Sequence, residues 1–276
     1  MKILVTGAKG QLGHDVVKEL EKKGYTVIGV DIEDMDITDA TSVQQVLDNA
    51  KVDAVIHCAA YTAVDAAEEN VDICMAVNEA GTKNIAKICK KHNIKMMYIS
   101  TDYVFGGEGD TPWKPEDQCN PINVYGESKY RGEVAVKELL DKHFIVRISW
   151  VFGENGSNFV KTMLRLAESY KELNVVNDQT GSPTYTADLA VLLADMIASE
   201  KYGTYHVSNE NICTWYDFAV EIFKQANIEI KVNPIASKDF PTKAKRPHNS
   251  RMDKTKLTNN GFALLPTWQD AVKRYL

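Results

Sequence analysis

Apolar and polar positions alternate regularly through the first 150 residues. Short β-branched runs at residues 2–6, 26–30, 54–57, 95–100 and 144–148 are almost continuously apolar. That is the pattern of strands buried on both faces of a parallel sheet. Between them lie stretches of helical spacing at residues 11–23, 40–49 and 125–140, and one long amphipathic segment over 65–92. Strand and helix in this alternation predict an α/β chain built on a doubly wound parallel sheet.

Beyond residue 150 the pattern loosens. Helical spacing recurs at 158–170, 186–198, 215–225 and 268–275, with short strands expected at 174–176, 204–207 and 230–232. A loop over 236–250 carries Pro241 and Pro247. The expected organisation is a dinucleotide-binding domain over 1–150 and a smaller α/β C-terminal lobe over 151–276. That lobe would bind substrate at the sheet's carboxyl edge and interleave with the sheet.

Composition narrows the function classes. At 276 residues, 44% hydrophobic and 25% charged, the chain has ample material for a core. Its formal charge of −6 gives no electrostatic footprint for nucleic acid. No apolar run is long enough for a signal peptide or membrane span. The five cysteines are widely spaced with no C-x-x-C, and the histidines form no ligand pair. Reduced thiols in a cytoplasmic protein without a metal site are the expectation. Oligomeric state stays open, a homodimer included.

The first strand runs into Gly7-Ala8-Lys9-Gly10-Gln11-Leu12-Gly13, which opens the first helix. Glycines there let the backbone turn tightly and approach a pyrophosphate, whose charge is met by N–H groups at the helix N-terminus. The spacing is G-x-x-G-x-x-G, which suits the short-chain dehydrogenase/reductase form of the Rossmann fold. Asp31 stands just past the second strand, placed to accept hydrogen bonds from the adenosine ribose. Ile32, Glu33 and Asp34 follow, and no Arg or Lys is close in sequence. Charge repulsion therefore predicts NADH as the favoured cofactor, with NADPH accepted. Asp36 and Ile37 are placed to flank the adenine, and Ala59, Ala60 and Tyr61 to lie where a dinucleotide crosses the sheet.

Tyr125 and Lys129 are four residues apart on a helical segment and share a face. An ammonium beside a phenol stabilises the phenolate and is expected to lower the tyrosine pKa. With 12 tyrosines, about one Y-x-x-x-K arises by chance, so position carries the argument. Thr101 ends the fourth strand, at the edge of the sheet where ligands bind, and its hydroxyl can polarise the same carbonyl that Tyr125 protonates.

These features together resemble the extended short-chain dehydrogenase/reductases that act on nucleotide sugars, and longer stretches resemble the dTDP-4-dehydrorhamnose reductase family over nearly the whole chain. The stretches are Gly10-Gln11-Leu12-Gly13, Ala60-Tyr61-Thr62-Ala63-Val64-Asp65 with Glu68, and Ser100-Thr101-Asp102-Tyr103-Val104-Phe105. The others are Tyr125-Gly126-Glu127-Ser128-Lys129, Arg147-Ile148-Ser149-Trp150-Val151-Phe152-Gly153 and Arg246-Pro247-His248-Asn249-Ser250.

The resemblance implies reduction of the 4-keto group of dTDP-4-dehydro-β-L-rhamnose to dTDP-β-L-rhamnose, with Thr101, Tyr125 and Lys129 catalytic. It places Asp102, Tyr103 and Trp150 at the sugar and Arg246 at the nucleotide diphosphate. Some members are described as bridging subunits through glutamate-bound metal, and no acidic cluster assures that here. Two alternatives stand beside this reading. A nucleotide-sugar dehydratase of this fold resembles Thr-Asp-Glu where this chain has Tyr103, and an epimerase resembles R-x-x-N-x-Y-G where it has Arg147 to Gly153. A non-catalytic NAD(P)-binding regulatory subunit, as in methionine adenosyltransferase, resembles the same family with the Thr, Tyr and Lys positions eroded. All three are intact here.

Overall fold

A computed structural model describes residues 1–276. The main sheet has six strands, β1 (Lys2–Thr6), β2 (Thr26–Val30), β3 (Ala54–His57), β4 (Lys95–Thr101), β5 (His143–Ile148) and β6 (Gly203–Val207). They lie in the order β6-β5-β4-β3-β1-β2, every pairing parallel. This is the α/β doubly wound Rossmann-type sheet expected from the alternation. Strand order reverses at β1, which has β2 on one side and β3 on the other, so a crevice opens past the carboxyl ends of β1 and β3.

Both faces of the sheet are covered. Successive β1 side chains alternate between them, with Ile3 and Val5 in one core cluster and Leu4 in the other. The first face packs against α1 (Gln11–Lys22) and a helix from late in the chain (Thr186–Ala198). The second packs against α2 (Ala40–Ala50), α3 (Thr82–His92) and α4 (Val124–Leu139). The late helix and β6 both follow residue 150, so the chain returns to complete the layers around the main sheet.

The amphipathic stretch over 65–92 is not one helix. It breaks into turns at Val64–Ala67 and Val71–Met75, then a π-helical turn at Ala76–Gly81, before α3 begins. Gly81 allows the π turn to press on Ile37, whose side-chain carbons stand 2.8–3.3 Å from where a Cβ would sit.

A third cluster forms the C-terminal lobe, around Phe152, Phe218 and Trp268. The short strands expected near 174 and 230 pair with each other, Glu172–Val176 running parallel to Lys231–Ile235. No helix is long and apolar enough to cross a membrane.

Candidate active site

The dinucleotide end is built by close backbone contact. Gly7 has φ +64°, and a Cβ there would meet the Ala59 nitrogen at 2.8 Å. A Cβ on Gly13 would meet the Gly7 carbonyl oxygen at 2.0 Å, so only glycine lets the loop fold this tightly. Gly10 is the N-cap of α1 and offers no side-chain cap, which leaves first-turn N–H groups of Gln11, Leu12 and Gly13 free for an anion. These features fit a pyrophosphate. Ala59, Ala60 and Tyr61, half-buried just past β3, face the same crevice end.

Asp31 sits against this loop, its carboxylate accepting the Lys9 N–H at 3.0 Å. Asp36 closes a turn by accepting from the Thr38 N–H (2.9 Å) and hydroxyl (2.7 Å), and these bonds hold its pKa below the ordinary value. Ile37 is buried in the core and does not face the crevice as an open surface. One expectation needs correction. A cation does stand at the acidic loop: the Lys9 ammonium pairs with Glu33 at 3.0 Å. The parallel register of β1 with β2 brings the two loops side by side, which separation in sequence concealed.

Thr101 and Tyr125 meet beside the carboxyl end of β4, and Lys129, one turn along α4 from Tyr125, lies over the Tyr98 ring of that strand at 4.1 Å; Thr101 and Lys129 are buried. The Thr101 hydroxyl donates to Asp102 Oδ1 (3.0 Å) and accepts from the Tyr103 N–H (3.2 Å), capping the short 3-10 turn Asp102–Val104. Tyr103 and Tyr125 meet edge to face, ring centres 5.8 Å apart. Burial pushes the Tyr125 phenol upward, with the Asp102 carboxyl adding to the effect and the Thr101 hydroxyl opposing it. The lowered phenol expected from the lysine is therefore not found; burial and the Asp102 carboxyl set the shift instead. Burial brings Lys129 down to about 7, with Glu133 opposing. It also raises Asp102 to about 6 and Tyr103 to about 12.

Trp150 has φ +48°, a left-handed backbone that turns its indole toward the lobe. The ring stacks on Trp215, centroids 3.9 Å apart, and its edge passes Gly181, where a Cβ would lie 3.1 Å from the indole. The stack covers one face of the indole. Arg246 reaches back from the 236–250 loop to Asp65, Nη2 to Oδ2 at 2.6 Å, beside the Tyr103 hydroxyl.

Several residues of the site escaped the sequence reading. Asn78, on the π turn, accepts the Tyr61 N–H (2.8 Å) and donates to the Tyr61 carbonyl (3.0 Å) and the Ser128 hydroxyl (2.9 Å). It thereby ties the dinucleotide crossing to the helix that carries Tyr125. His57, buried between the Thr6 and Thr82 hydroxyls, fixes the end of β3. Trp215 lay in a helix read only for its spacing. None of these carries a motif of its own; each is recognised only by its partners.

The parallel sheet, glycine loop and threonine–tyrosine–lysine group define a Rossmann-type enzyme of the extended short-chain dehydrogenase/reductase class. Residues 1–276 match the family model of the RmlD substrate binding domain. The chain is similar to a dTDP-4-dehydrorhamnose reductase of Aggregatibacter actinomycetemcomitans, 43% identical over 99% of this chain and 97% of that one. It is also similar to the crystal structure of dTDP-4-dehydrorhamnose reductase from Bacillus anthracis in complex with NADP. That structure has a TM-score of 0.97 and 44% identity, covering 99% and 98% of the two chains. An orthologue structure from Clostridium acetobutylicum matches with TM-score 0.97 and 43% identity, covering 100% and 98%. The chain belongs to the RmlD family of dTDP-4-dehydrorhamnose reductases.

Proposed function

We propose that this chain reduces the 4-keto group of dTDP-4-dehydro-β-L-rhamnose, giving dTDP-β-L-rhamnose. The observation that carries the reading is the meeting of Thr101 and Tyr125 beside Asp102 at the crevice, with Lys129 buried one helical turn behind. In it, the glycine loop and Asp31 hold a nicotinamide dinucleotide, which supplies hydride when bound. Tyr125, kept protonated by burial, donates its proton to the developing alkoxide oxygen. The Thr101 hydroxyl turns from Asp102 to donate to the same oxygen, and the Lys129 ammonium stabilises the phenolate left behind. Trp150 covers the apolar side of the 6-deoxy sugar, Asp102 and Tyr103 take its polar side, and Arg246 meets the diphosphate.

Residues 1–150 with β6 form the dinucleotide-binding part, and most of 151–276 the substrate lobe. Both coenzymes are accepted in this reading, because Lys9 offers a cation where a 2′-phosphate would lie. The five free cysteines suit a reducing cytoplasm.

The test is oxidation of NADH and of NADPH with dTDP-4-dehydro-β-L-rhamnose, run beside Tyr125→Phe. The variant should lose about 10²- to 10⁴-fold in kcat while binding dinucleotide as before. Full turnover in the variant would sink the mechanism. No turnover by the intact protein, with dinucleotide still bound, would point to another keto-sugar or to a binding subunit.

A further inference from the structure

The 236–250 loop crosses from the C-terminal lobe to the mouth of the site, and three of its consecutive residues are pinned there. Asp65 uses both carboxylate oxygens for this: Oδ1 accepts the Ala244 N–H at 3.1 Å and Oδ2 accepts Arg246 Nη2 at 2.6 Å. Between these two residues, the Lys245 carbonyl accepts from Asn123 Nδ2 at 2.8 Å. Asn123 is the N-cap of α4, its side-chain oxygen accepting the Gly126 N–H at 2.7 Å, so the strap is seated two residues from Tyr125. Glu68, just past the turn that carries Asp65, accepts the first N–H of α4, from Val124, at 2.9 Å.

The side chains of Asp65 and Arg246 are 42% and 25% exposed. A pair this open to water adds little to stability, so its consequence is geometric. Arginine has many rotamers and a planar fork of donors. Holding one of its nitrogens, with the Tyr103 hydroxyl beside another, removes most of that freedom and still leaves donors of the five-donor fork to turn to a ligand. The carboxylate that holds the guanidinium also holds the backbone two residues before it, so loop and side chain are set by one group.

We infer that Asp65 is a positioning residue for substrate binding, seating the 244–246 strap and aiming the Arg246 guanidinium at the diphosphate of a nucleoside-diphosphate ligand. This rests on the reading of Arg246 given above. Asp65 acts through Arg246, and the carboxylate itself touches no reacting atom.

A binding cycle with dTDP as the probe separates the two claims. Affinity is measured on the full-length protein for the parent, Asp65→Asn, Arg246→Ala and the double variant. Asn keeps an oxygen for the Ala244 N–H and removes the charge, so the strap backbone stays seated. Each single change should weaken dTDP by about five- to tenfold, and the double should bind no more weakly than Arg246→Ala alone. In turnover, Asp65→Asn should raise the KM for the nucleotide sugar with kcat and dinucleotide affinity within about twofold, a split that general loosening of the fold would not produce.

Tighter or unchanged dTDP binding in Asp65→Asn would overturn the inference, since the carboxylate would then be a competitor or a bystander. Additive losses would overturn it as well. If Arg246→Ala binds dTDP as the parent does, the assignment of Arg246 fails and the role of Asp65 falls with it.

Discussion

The Lys129 ammonium stands 4.1 Å from the centre of the Tyr98 ring, and the Tyr98 hydroxyl donates to the Lys129 carbonyl at 3.3 Å. Both residues are buried. An aromatic face returns part of the solvation that an ammonium loses on burial, and only part. The remaining cost appears as the fall of Lys129 to about 7.

That cost predicts a trade of stability against activity. Below pH 7 the lysine is charged in both the folded and unfolded chains, and the folded chain bears the whole burial cost. Between about 7 and the ordinary lysine value of 10.5 the unfolded chain binds more protons, so this site's contribution to stability rises with pH. Lys129→Met should abolish turnover and yet be more stable than the parent at pH 6, by about 2 kcal/mol. The advantage should shrink steadily toward pH 10. Thermal unfolding of both proteins across that range checks it, and an advantage independent of pH would mean that the ammonium is fully compensated.

Asp102 predicts an acid limb in substrate binding. Its Oδ2 is buried without a hydrogen-bond partner in the chain, and burial raises the carboxyl to about 6. As pH falls through 6 the group turns from acceptor to donor, and a sugar hydroxyl that donated to it loses its partner. The KM for the keto-sugar should rise about threefold or more from pH 7 to pH 5. Asp102→Asn should have a raised KM at every pH and lack the limb. A parent KM that is flat over this interval would remove Asp102 from the sugar site.

Coenzyme choice should turn on the Lys9–Glu33 pair. The ammonium is held by a carboxylate in an exposed position, a weak bond that a 2′-phosphate can replace. Lys9→Ala should raise the KM for NADPH about fivefold and leave that for NADH nearly unchanged. Glu33→Gln should lower the KM for NADPH. Equal effects on both coenzymes would place Lys9 away from the ribose.

The parts legible from the chain alone were those set by local pattern. Strands such as Ile3-Leu4-Val5 declare themselves because both faces are buried, and the glycine loop because a Cβ on Gly13 would strike the Gly7 carbonyl. The contacts that set the chemistry join residues distant in sequence. Trp150 meets Trp215, and Lys9 meets Glu33 only through the register of two parallel strands. The direction of the Tyr125 shift also lay beyond pattern, because it is set by burial and by the neighbouring Asp102 carboxyl, which the packed site alone reveals.

The sharpest prediction for the fold concerns Glu133, one helical turn beyond Lys129 and wholly buried. Burial alone would raise its pKa, yet the Arg147 guanidinium holds it below the ordinary value. Arg147 Nε donates to Oε1 at 2.8 Å and Nη2 to Oε2 at 2.7 Å, while the Ser100 hydroxyl donates to Oε1 at 2.7 Å. Glu133→Leu strands the Arg147 charge and should cost about 3–5 kcal/mol, while Arg147→Met leaves the carboxylate only the partly exposed Lys137 ammonium at 3.4 Å as a counter-charge and should cost somewhat less. The double variant strands no charge and should lie within about 2 kcal/mol of the parent. Urea unfolding of the four proteins gives the coupling. Its physical basis is that the pair's effect on stability resides in mutual compensation of two desolvated ions, so losses that simply add would mean water reaches the pair.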